Sequence, residues 1–432
     1  MSQGTAAASA PDIRTTSPAA PGDGSPTTPG ELRHPRRHMT AVARNRRTGR
    51  LLRLLAGLRE PTASELDTVG RRSLERDELG AAVARAMRLP KGSPERVTMP
   101  MLRQAIAEGL ASLDNPPPAV RAFFERVETV PDWVDFDLCN EGARTFLAFG
   151  HNGRDILTQL ALIGGYRYAG PADLLVETGG LTGDRTRRRL AETQHWTCVV
   201  TEQDAMRPGA EGYRTTVHVR LMHALVNHAF ETNGRWDSSA LGLPINRTDQ
   251  AGTLGLFSGA VLIGVRSLGV RVTGEQSRAV MHLWKYIGWL MGIDEDWLCD
   301  NEHDQHQLNY SILLASADVS AAGPKLARAV IDVEESLDYP NLVALRRRYG
   351  RARTLSMLRV LIGKPGLEDL RLPVTIPWAY PIVLGQNIVR YWLLPMTPAG
   401  RRRLERFGRR SREQTRARFF GAQDRAVADL PE

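Results

Sequence analysis

The sequence predicts an all-α fold, and three observations carry that reading. Ala and Leu are abundant while aromatic residues make up 6% of the chain, a composition that favours helices over a β-rich architecture. Apolar residues recur at helical spacing through most of the sequence. No stretch of useful length alternates apolar and polar residues as a half-buried strand would. At 432 residues and 42% hydrophobic content the chain can bury a large core, and its length allows two or three domains or one large one.

Taken in order, residues 1 to 45 form an N-terminal tail with a basic end. Its Ala, Ser, Thr, Pro and Gly cannot bury enough apolar surface to order it. RNRRTGRLLRLLAGL, residues 44 to 58, reads as an amphipathic helix, since Arg50 and Arg53 interrupt its leucines. Residues 46 to 114 form an N-terminal helical region, with helical spacing over 64 to 88 and 98 to 113. Asn115 and the three prolines after it make a loop that opens the next helix and a large domain over 115 to 395. Within that domain VPDWVDFDLCNEGARTFLAFG is a turn feeding a helix. DILTQLALIGGYRYAG is apolar on most sides, as a buried helix is. Further helices are predicted over 184 to 206, 214 to 233, 249 to 269, 274 to 292 and 303 to 317, with a loop around Pro244. LRLPVTIPWAYPIVLGQNIVRYWLLPM is apolar and interrupted by prolines, so it is expected to pack across the core or line an access channel, with a membrane contact beside the basic segment after it as the alternative. Residues 396 to 432 form a basic C-terminal helix and tail.

The net charge of +9 is unevenly placed. Residues 33 to 53 hold eight Arg and no acid, and 401 to 418 hold nine Arg against Glu405 and Glu413, which leaves the body mildly acidic. Such runs are ordinary solvated faces or tails, so no specific nucleic-acid partner is implied. Cys139, Cys198 and Cys299 are odd in number and far apart, which points away from a disulfide framework or a cysteine-based zinc cluster and toward a reducing compartment. No window approaches the roughly 18 apolar residues of a membrane span. The start of the chain does not show the pattern of a secretory signal. The expectation is a cytoplasmic protein, with a peripheral contact to an anionic bilayer through the basic C-terminal segment as a further hypothesis.

VHVRLMHALVNH places His218, His223 and His228 five residues apart. At about 100° per residue, a spacing of five turns a side chain by roughly 140°, so the three cannot share one metal on an intact helix. The face centred on His223 carries Val219, Val226 and Phe230, with Arg220 and Asn227 at its edges. A neutral imidazole among apolar residues with a cation one turn away is what a b-type haem requires of an axial ligand and a propionate partner. A core histidine hydrogen-bonded to a carbonyl fits the same pattern. His303 and His306 form an HxxH pair at a helix start rich in acids, but zinc needs a third protein ligand at a recognisable spacing. GxxxxGK[ST], GxSxG and a dinucleotide fingerprint after a strand are missing.

Five pieces in register, NPPPAVRAFFERVETVPDWVDFDL, RRRLAETQHW, GYRTTVHVRLMHALVNH, LPINRTDQAGTLGLFS and HLWKYIGWLMGID, lie within residues 115 to 320. Together they resemble the latex-clearing-protein and MpaB-type oxygenase family. The resemblance implies a globin-like helical core with extra terminal helices and a haem b whose proximal ligand is His223. It also implies an Arg and a Thr one turn apart near the haem, here Arg189 and Thr193 in R-L-x-x-T. Rubber-cleaving members resemble this pattern but carry a lysine directly before that Thr. This chain has Glu192 there, an anion where a cation could cover the sixth iron position, which points away from rubber itself. Glu192 or Glu177 could serve as the acid that the family mechanism places near the distal pocket. The expected function is a haem-b oxygenase using O₂ on an apolar, alkene-containing or isoprenoid-like substrate. Its alternative is a haem-binding sensor or carrier without turnover.

Overall fold

The computed structural model describes residues 33–179, 183–337, 339 and 341–420, and every regular element among them is helical. The all-α expectation holds, and the helices predicted over 214 to 233, 274 to 292 and 303 to 317 appear within about three residues of their expected ends. The histidine helix runs Glu211–Thr232, and the helix carrying Arg189 and Thr193 runs Gly183–Val200.

The differences come at places where side-chain chemistry interrupts a continuous apolar period. The pattern over 64 to 88 divides into Ala63–Arg72 and Glu78–Met87. Thr62 and Glu65 cap the first reciprocally, and Asp77 stands at the N-terminus of the second. The pattern over 249 to 269 divides into Arg247–Phe257 and Gly259–Ser267. There the Ser258 hydroxyl donates to the carbonyl of Leu254 at 2.9 Å, a local bond that competes with the helix ladder. The buried apolar helix near 155 to 170 widens into a π-helical stretch over Leu157–Ile163, a wider turn that is uncommon and often marks functional regions. Gly323–Ser336 and Val343–Leu361 add two helices between the predicted elements.

The main core is built around Gly274–Leu290. Its Trp284 is 1% exposed and lies 5.7, 5.8 and 5.1 Å, ring to ring, from Phe146, Trp196 and Phe257. This helix meets Phe136–Ala148 at Gly142, where an added Cβ would stand 2.3 Å from the carbonyl oxygen of Ala279. A residue without a side chain is what lets the two backbones approach. Val83, Ala84 and Leu102 belong to the same apolar cluster as Leu221 and Trp284, so the core runs through the boundary drawn at residue 114. A second cluster joins Ile163, Tyr166 and Leu190 to Leu326, Ile331, Leu355 and Leu358.

Both ends of the described chain are tied down. Residues 33 to 41 were assigned to an N-terminal tail, but they are held across the body. Arg33 and His34 reach Asp67, and Arg37 reaches Asp249 and the carbonyl of Ala169. The Arg36 backbone N–H bonds to the Ser239 carbonyl. Composition predicted disorder for this basic end, but acids placed 33 to 212 residues away supply its partners. Residues 1 to 32 lie outside the described residues. At the other end, Pro398–Phe420 packs on the body, with Arg412 donating to Thr201 and Arg416 to Glu202. No helix among the described residues is long and apolar enough to cross a membrane.

Candidate functional site

The helix Glu211–Thr232 divides its three histidines as the 100° rotation requires. His228 turns toward Arg76, Arg85 and Arg88, and burial together with these cations lowers its pKa. His218 is half-buried on another face. His223 lies on the stripe shared with Thr216, Val226 and Phe230. Val226 and Phe230 pack with Leu174, Trp236, Leu241 and Ile245 into one apolar cluster. The Phe230 and Trp236 rings meet edge to face at 6.5 Å.

Burial holds the His223 imidazole at a pKa of about 4, and the Asp77 carboxylate offsets that shift in part. The ring is therefore neutral at pH 7. Its Nδ1 is buried and has no hydrogen-bond partner. A buried polar nitrogen left alone costs about 1–3 kcal/mol. The core-histidine reading, which needs a carbonyl acceptor, does not find one at this atom.

Arg220 is 4% exposed and its fork is committed. It donates to both carboxylate oxygens of Asp77 at 2.7 and 2.8 Å and to the Leu290 carbonyl at 3.2 Å. The guanidinium also stacks over Phe123, 4.9 Å from the ring centroid. The sequence marked Arg220 for a haem propionate, and in the structure its fork is bonded to Asp77. Asp77 was missed by sequence reasoning, although an acid just ahead of a helical apolar run is a recognisable start signal.

Arg189 and Thr193 lie on an adjoining helix. The Trp196 indole N–H donates to the Thr216 hydroxyl at 3.2 Å, linking Gly183–Val200 to the histidine helix. Arg189 lies seven residues before Trp196 and His223 seven after Thr216, each about 10 Å from that bond along its own helix. Both Arg189 and Thr193 are exposed at their surfaces. The Arg189 charge acts on the buried phenol of Tyr166, opposing the rise in its pKa that burial causes. Glu192, half-buried, pairs with Arg188 at 3.1 Å one turn back. Glu177 pairs with Arg235 at 2.8 Å. Each candidate acid is thus held in an ion pair.

The HxxH pair is structural. His303 Nδ1 bonds to the carbonyl of Ala56 at 3.1 Å, and His306 Nε2 bonds to Glu302, which also meets Arg266 and Ser277. No group of three His, Cys, Asp or Glu placed to hold a metal occurs among the described residues. A single axial histidine does not require one.

Comparison with known proteins covers most of this framework. The family described as ER-bound oxygenase mpaB/B′/Rubber oxygenase, catalytic domain, matches residues 141–413. The rubber oxygenase of Streptomyces sp. (strain K30) is 23% identical over 305 residues, covering 68% of this chain and 70% of its own. The solved structure of latex clearing protein in the closed state superposes with a TM-score of 0.57 at 19% identity, covering 84% of this chain and 95% of the other. With the family match extending over well beyond half of the sequence and containing His223, Arg189 and Thr193, the chain belongs to the mpaB/B′ and rubber oxygenase family and is an oxygenase.

Proposed function

We propose that this oxygenase carries a b-type haem on His223 and acts with O₂ on an apolar, alkene-containing substrate of the isoprenoid kind. The observation that carries the reading is the His223 ring itself, neutral, set among apolar side chains and with a buried nitrogen lacking a partner. These properties fit an axial ligand, which must be deprotonated and walled from water. When bound, the haem supplies the iron at which O₂ is activated.

The chain's own residues prepare that place. Asp77 and Arg220 fix the helix one turn before His223 through a two-pronged buried ion pair. Val226, Phe230, Leu174 and Trp236 supply apolar surface that excludes water and suits both a porphyrin and a hydrocarbon substrate. The Arg189 guanidinium and the Thr193 hydroxyl are hydrogen-bond donors on the adjoining helix, so they would set the polarity of the space beside the haem. With Glu192 paired to Arg188, the position before Thr193 presents no cation, which supports a site open to substrates other than rubber.

The test is the absorption spectrum of the purified protein, oxidised and reduced, followed by oxygen uptake with an unsaturated lipid. A Soret band with substrate-dependent uptake is the expected result. A band without uptake would make the protein a haem sensor or carrier, and colourless protein after expression with added haem would remove the haem reading.

A further inference from the structure

The segment from Leu372 to Met396 buries one side of its helix and leaves the other bare, and the bare side is apolar. Ala379, Val383, Asn387 and Tyr391 recur every four residues and are all buried. They seal the core through bonds such as Asn387 Nδ2 to the Leu268 carbonyl at 2.9 Å. On the opposite face Trp378, Ile382, Val389 and Leu393 are exposed, flanked by Ile376 at 78% and Met396 at 77% exposure. A helix packed along one stripe ordinarily turns polar residues outward. Here the outward stripe could serve as a second core.

The surface extends beyond this helix. The Tyr349 ring stands 5.7 Å from that of Trp378, joining the start of Val343–Leu361, with exposed Leu342 and Leu345, to the same patch. Trp392 is half exposed and donates its indole N–H to the Gly269 carbonyl at 3.1 Å. Its ring lies 5.3 Å from the guanidinium of Arg271. Trp and Tyr with one apolar side and one polar atom favour the boundary between hydrocarbon and water.

The segments that form the patch carry charge of one sign, and Asp332 and Glu335 of the neighbouring helix are paired with Arg351. Residues 341 to 367 and 370 to 404 contain no Asp or Glu. Arg271, Arg346, Arg348 and Arg371 are exposed and have no ion pair among the described residues. Cations around an apolar face with interfacial aromatics match the surface of an anionic bilayer, whose headgroups attract Arg while its acyl region accepts the apolar side chains. The terminal stretches outside the described residues offer little to cover the face. Residues 1 to 32 hold Met1, Ile13 and Leu32 as their large apolar residues, and 421 to 432 hold Val427 and Leu430.

We propose that this face, formed by Trp378, Ile382, Val389, Leu393 and Met396 with Tyr349 and the surrounding arginines, seats the protein on an anionic lipid bilayer. The seat lies outside the basic C-terminal helix, which packs on the body through Arg412 and Arg416. It does not depend on the haem reading, because none of its residues belongs to the proposed haem site.

The test is co-sedimentation of the full chain with vesicles of phosphatidylcholine alone and of equal phosphatidylcholine and phosphatidylglycerol. The wild-type protein is expected to partition at least about tenfold better onto the anionic vesicles. Ile382→Asn, Val389→Asn and Leu393→Asn together should lower that partitioning about tenfold, with the helical circular dichroism and melting temperature kept. Arg271→Glu with Arg371→Glu provides a second variant that leaves the apolar face intact, and it should weaken binding to the anionic vesicles alone. Equal pelleting of the triple variant and the wild type would overturn the proposal. So would binding indifferent to phosphatidylglycerol, which would point to a neutral apolar partner such as a hydrocarbon polymer. A wild-type dimer in light scattering that the triple variant converts to monomer would make the face a contact between copies of this chain.

Discussion

His223 is separated from its two neighbouring histidines by the company it keeps. It shares its helix face with Val226 and Phe230 and has an unpaired ring nitrogen, whereas His228 faces three arginines. His223→Ala is therefore expected to abolish the Soret band of purified protein, while His218→Ala and His228→Ala retain it. Comparable bands in all three variants would refute the assignment of the ligand. The Asp77–Arg220 pair yields a second prediction at this scale. Removing either partner leaves a buried charge unmatched, at a cost of about 3–5 kcal/mol. Arg220→Ala should thus be strongly destabilised in urea unfolding, and Asp77→Asn together with Arg220→Met should recover much of the loss. Helical periodicity along twelve residues separated His223 from its two neighbours and marked its apolar face, and the family resemblance named it as the ligand. The partner of Arg220 could not be found that way, because Asp77 lies 143 residues earlier in the chain and their meeting depends on tertiary packing.

At the scale of elements, helices were legible where their apolar period ran unbroken, as in Glu211–Thr232 and Gly274–Leu290. They were less so where a single side chain redirects the backbone. Ser258 and Asp77 each end one helix or begin another inside a stretch whose apolar spacing continues past them. Periodicity reports which faces are buried, and such breaks alter the chain's direction without altering burial. Gly142 is a related case, since its role belongs to the contact between two helices. Gly142→Ala would drive a methyl group into the Ala279 carbonyl. It should cost about 1–3 kcal/mol of stability, as overpacked cores do, read as a lower melting temperature. An unchanged melting temperature would show that the two helices separate freely.

For the molecule as a whole, acid is expected to destabilise the fold in two stages. His38 and His151 are held near a pKa of 4, chiefly by burial, against an ordinary value of 6.5. The unfolded chain binds their protons first, so stability is full above about pH 7 and falls as pH drops from 6.5 toward 4. Glu302 is held at about 2, with His306 and Arg266 bonds outweighing burial, and its contribution is lost below about pH 4.5. Denaturant midpoints measured from pH 8 to about pH 2 should decline along this course, and a midpoint that rose on acidification would contradict it. Deleting residues 1 to 30 should leave the melting temperature in place. Deleting through residue 41 should lower it by several degrees, because the bonds to Asp67, Asp237 and Asp249 go with it.

Those same bonds set an order of events during synthesis. Arg36 must wait for Asp237 and Ser239, Arg37 for Asp249, and Asn45 for the carbonyl of Ser316. A ribosome therefore releases the first of these segments more than two hundred residues before its anchoring partners exist. Arg36 and Arg37, among the earliest-made residues of the described chain, are among the last to be fastened. During that interval these arginines are open to solvent, to proteases and to chaperones.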